Sequence, residues 1–66
     1  MFILSETTKA GAKRKIAAFE TFEEAKAEVQ KIGVAFMEDD RQFPGRAYAF
    51  TKSGMLLTIE PEGFRP

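Results

Sequence analysis

The chain has no cysteine and no histidine among its 66 residues. Thiolate and imidazole are therefore both missing. No disulfide can staple the fold, no zinc-site spacing can be assembled, and the commonest general base and the thiol nucleophile are lost. An excess of one charge is also lacking, because ten basic residues balance ten acidic ones. A dedicated nucleic-acid binder usually carries a basic excess, and an acidic mimic of DNA would need the opposite. Long apolar runs are absent as well. Met1-Phe2-Ile3-Leu4 gives way at once to Ser5-Glu6-Thr7-Thr8, too short for the apolar core of an export signal. Nothing approaches the roughly 18 apolar residues that suggest a membrane span. A soluble protein with no membrane partner is expected, and the lack of cysteine fits a reducing, cytoplasmic setting.

What is present describes one small domain spanning residues 1–66. Apolar residues make up 44 % of the chain and seven of them are phenylalanine, which argues for a packed core and against disorder. That core must be thin, since a chain of this size buries only about 60 % of the surface that it exposes when unfolded.

The strongest local signal is Thr21-Phe22-Glu23-Glu24. The Thr21 hydroxyl can accept from the Glu24 amide while the Glu24 carboxylate reaches back to the Thr21 amide, the reciprocal pair of a capping box. Glu23 and Glu24 also set negative charge on the positive end of the helix dipole. Phe22, Ala25, Val29 and Ile32 recur at spacings of three and four, and Gly33 follows as a left-handed terminator. A helix over 22–32 is expected. The rest reads as strands: 2–7 and 15–20 around a polar turn with Gly11, then 34–39, 46–51 and 55–60. Phe43-Pro44-Gly45-Arg46 has the composition of a type II turn. Thr51-Lys52-Ser53-Gly54 has glycine where a type I turn with a bulge needs a left-handed residue. Pro61 is expected to stop the last strand. The fold class is α+β: one helix packed on a four- or five-stranded antiparallel sheet, in the order β-β-α-β-β-β.

One helix covers one sheet face. Alternation puts Tyr48 and Phe50 on one side of their strand and Ala47 and Ala49 on the other, and groups Val34 with Phe36. Burial of aromatics favours a helix lying over the Phe-rich face, with Val29 and Phe36 in the core. The opposite placement would leave Tyr48, Phe50 and Leu57 as an exposed apolar patch, a candidate protein interface.

No catalytic set, cofactor site or metal site is expected. Ser5 and Ser53 are the only serines, and Lys52 beside Ser53 is explained by the turn. Glu38-Asp39-Asp40 offers the oxygen ligands that hard cations prefer, but neighbouring carboxylates on a strand point in alternate directions. Ala10-Gly11-Ala12-Lys13-Arg14 lacks the second glycine and the following helix of a phosphate-binding loop. Lys9, Lys13, Arg14 and Lys15 form the one basic cluster, and at a hairpin tip they could straddle a phosphate backbone.

These features lead to a non-enzymatic protein-interaction module, an accessory or inhibitory protein that docks on another protein or on itself as a homodimer. Small domains of this kind include both chromosomal accessory proteins and phage-encoded inhibitors. The alternative is nucleic-acid backbone binding through the 9–15 loop.

Overall fold

The computed structural model describes residues 1–64. Strand β1 (Phe2–Thr7) turns into β2 (Lys13–Phe19), helix α1 (Phe22–Ile32) follows, and β3 (Val34–Asp39), β4 (Ala47–Thr51) and β5 (Leu56–Pro61) complete the domain. The five strands form a single antiparallel sheet in the order β2-β1-β5-β4-β3, so the expected α+β class and element order stand. Among the described residues no helix is long and apolar enough to cross a membrane.

The order explains the position of the helix. Strands β2 and β3 are the two edges of the sheet, about 19 Å apart at ordinary strand spacing. The 11 residues of α1 span about 16 Å at 1.5 Å each, so the helix must run across the sheet to join its edges. Thr21 caps it: the Glu24 amide donates to the Thr21 hydroxyl oxygen at 3.1 Å. The reciprocal bond differs from the expected box, because the Thr21 hydroxyl itself donates to the Glu24 carboxylate at 3.0 Å. Gly33 ends the helix at φ 87° with its amide on the Gln30 carbonyl. Replacing Thr21 by alanine is expected to destabilise the domain by about 0.5–2 kcal/mol. Thermal melting measures this, and an unchanged Tm would contradict the cap.

Both predicted tight turns form. Gly54 at φ 89° closes the β4–β5 hairpin, its amide bonding to the Thr51 carbonyl at 2.9 Å. Gly45 at φ 80° has the left-handed conformation that position i+2 of a type II turn requires. A side chain there would also lie 2.9 Å from the Phe2 ring. Pro61 is the last residue of β5, paired with Phe2, instead of standing beyond the strand. Phe64 folds back and meets Phe43 edge to face at 5.2 Å.

The helix covers the alanine face, contrary to expectation. Leu4, Ala25, Val29, Ala47, Ala49, Leu57 and Ile59 are the buried core. Register decides this, because Ala47 pairs with Ile59 and Ala49 with Leu57, placing the two large aliphatic groups of β5 beside small residues over which a helix can approach. Aromatic burial on this side comes from Phe2, Phe19 and Phe22 instead, with the Phe2 and Phe22 rings 5.7 Å apart. Phe36, expected in the core, is 50 % exposed. The register shifts between Val34 and Phe36, so Val34 packs on the core while Phe36 turns to the opposite face. Ile32, expected on the buried stripe, lies at the helix end and is 48 % exposed.

Candidate functional site

The face of the sheet that α1 leaves open is ordered in rows, since residues directly opposite one another share a face. One row runs Phe36, Phe50, Leu56, Thr7, Lys13 from β3 to β2, and the next runs Glu38, Tyr48, Thr58, Ser5, Lys15. The first begins with two half-exposed aromatic rings, Phe50 being 46 % exposed, and ends on a cation. At the far margin lie Ile3, Glu60 and Arg46. Ser5 and Thr58, in the middle, are buried although no helix covers them.

Arg46 organises that margin. Its Nε donates to Glu60 at 3.1 Å and its Nη1 to Asp40 at 2.7 Å, while the guanidinium lies 5.1 Å from the Tyr48 ring and 5.4 Å from the Phe64 ring. Lys13, rooted on edge strand β2, reaches across β1 to the second oxygen of Glu60 at 2.7 Å. Asp40 also accepts from the Gln42 and Phe43 amides at 2.8 and 3.2 Å. The result is a chain of charges, Lys13–Glu60–Arg46–Asp40, closed among its own members.

Electrostatics follow from this geometry. The Arg46 guanidinium, and after it the Gln42 amide, hold the Asp40 carboxyl below its ordinary range. Burial pushes Glu60 up, but Lys13 and Arg46 outweigh it and the net direction is down. Burial and the nearby Asp40 carboxylate raise the Tyr48 phenol, which therefore stays protonated. A carboxylate lowered in the folded state adds stability that is present above its unfolded pKa and lost as pH falls through the folded value. The Tm should therefore decline once pH drops below the ordinary values, 3.8 for Asp40 and 4.5 for Glu60. Arg46→Gln should lower the Tm at pH 7 and flatten the acid decline. An identical acid limb in that variant would show that the network does not carry the pH dependence.

The structure divides the basic cluster. Lys9 lies in the β1–β2 turn beside Gly54, whereas Lys13, Arg14 and Lys15 belong to β2. Lys13 and Lys15 share the open face, and Arg14 pairs with Glu6 on the helix side. Leu57 does not belong with Tyr48 and Phe50. It is 2 % exposed under the helix, and Leu56 stands opposite Phe50 in its place. The acidic run is dispersed too: Glu38 rises on the open face opposite Tyr48, Asp39 meets Lys26 of the helix at 3.1 Å, and Asp40 binds Arg46. Three carboxylates with three separate directions do not converge on a cation. An open hollow of about 350 Å³ between the helix end and β3 is lined by Gln30, Gly33, Val34, Ala35, Phe36 and Met37, none of them titratable.

Comparison with protein-family models, with curated proteins and with solved structures finds no match to the chain. The functional reading therefore rests on the open face itself.

Proposed function

We propose that this chain is a non-enzymatic interaction module, an accessory or inhibitory protein that works in the cytoplasm by docking its open sheet face on a protein surface. The observation that supports the reading best is the apolar row Phe36–Phe50–Leu56, with two phenylalanines about half exposed side by side. Contiguous exposed apolar area rimmed by polar groups marks contact surfaces on soluble proteins. Tyr48 adds a ring with a polar tip, a residue favoured at binding hot spots. The absence of histidine and cysteine and the divergent carboxylates support the non-catalytic part of the proposal.

The test is affinity capture from native lysate with the wild type and with a Phe36→Asp/Phe50→Asp double variant. Both side chains are half exposed, so the fold should survive, as circular dichroism would verify. Loss of the captured proteins in a folded variant supports docking through this face. Capture of the same set by the variant would contradict it.

The second reading, contact with a nucleic-acid backbone through residues 9–15, is favoured by one observation: Lys13 and Lys15 share a face with Tyr48 and Phe50, where bases stack in sheet-based binders. It has less support, because Lys13 and Arg14 are already engaged by carboxylates. Heparin retention at low salt that modest salt abolishes would favour this reading.

A further inference from the structure

We infer that the partner fitting the open face is a second copy of this chain, related by a two-fold axis along β5. The inference rests on the docking role proposed above and names the occupant. Its basis is the distribution of charge that the internal network leaves over. Lys13, Glu60, Arg46 and Asp40 satisfy one another. Among the described residues, Lys15 and Glu38 are the open-face charges that make no ion pair, and their signs are opposite.

Their positions are symmetric. The register runs Lys15–Ser5–Thr58–Tyr48–Glu38, so the two charges occupy the same row, each two strands from Thr58 on the central strand β5. A two-fold axis parallel to β5 and lying between two stacked sheets exchanges the β2 side with the β3 side. Lys15 of one copy then faces Glu38 of the other, and the pair occurs twice. In the adjoining row Leu56 meets its own symmetry mate, and each Phe50 lies over Thr7 of the other copy. An isologous contact needs one self-complementary patch, and stacked sheets align within about 30° of each other. Placing the axis across the strands instead would set Glu38 against acidic β3 and Lys15 against basic β2, with like charges opposed.

Sedimentation equilibrium tests this with the full chain at increasing concentration. The wild type should pass from a 7.4 kDa monomer to twice that mass. Lys15→Glu and Glu38→Lys, each singly, should weaken the dimer at least about tenfold, since each sets two like-charged pairs across the interface. The double reversal should restore affinity to within about threefold of the wild type, an outcome that a merely structural defect cannot produce. A wild type that remains monomeric overturns the dimer. If Phe36→Asp/Phe50→Asp still abolishes capture in that event, docking through this face survives without a second copy. A dimer indifferent to both charge reversals and to the Phe36→Asp/Phe50→Asp change would place self-association elsewhere and overturn both readings.

Discussion

Replacing Val29 by aspartate is expected to leave the chain without a stable fold. Val29 is 1 % exposed, and it projects from the middle of α1 into the cluster of Leu4, Ala25, Leu57 and Ile59. The new carboxylate would meet apolar side chains only. Burying such a group without a partner costs several kcal/mol, or forces it to stay protonated. The whole domain has roughly 3–10 kcal/mol to lose, at about 0.05–0.15 kcal/mol per residue, and it has no cysteine to supply a disulfide. Circular dichroism should show loss of helix and no cooperative melt. A soluble Val29→Asp protein with a sharp transition would mean that this stripe faces water.

Truncating Leu57 to alanine should lower stability by about 2–5 kcal/mol, whereas the same change at its neighbour Leu56 should cost about 1 kcal/mol or less. Leu57 is 2 % exposed between Ala49 and Glu6, on the side the helix covers. Leu56 is half-buried on the open side. The gap is at least about 1 kcal/mol, and at about 4–8 °C per kcal/mol for a domain of this size the two variants should differ by at least about 4 °C in Tm. Equal losses, or a reversed order, would mean that β5 presents its other face to the helix. The Leu56 variant should instead lose self-association, which Leu57→Ala leaves in place for as long as the protein is folded.

The helix was legible in the sequence because cap, stripe and terminator agree within a dozen residues. Its bounds at Phe22 and Ile32 match the structure. Strand positions were legible to within two residues, because turn chemistry brackets them. The covered face was not legible from aromatic area, because register decides it. Yet Gly54 already held the answer. A three-residue loop closed by a left-handed glycine sets Thr51 across from Met55, so Phe50 must face Leu56, and Leu57 falls to the alanine side. Phe36 was a different matter. Its expected burial rested on placing the helix over the aromatic face, with Val34 and Phe36 on one side of their strand, and the irregularity that separates those two residues carries no glycine or proline to announce it. A bulge of this kind reverses side-chain parity for the rest of the strand. The Lys15–Glu38 complementarity was equally hidden, because it emerges only when four registers are joined across the sheet.

The most direct test of the open face as the docking surface is a dilution series followed by amide chemical shifts in the isotope-labelled protein. If a second copy docks there, shifts that change with concentration fall on Lys15, Phe36, Glu38, Tyr48, Phe50 and Leu56. Those of the exposed helix positions Glu23, Ala27 and Lys31 stay constant. Changes confined to the helix surface, or spectra that do not change from the lowest to the highest concentration, would contradict docking of a second copy on this face.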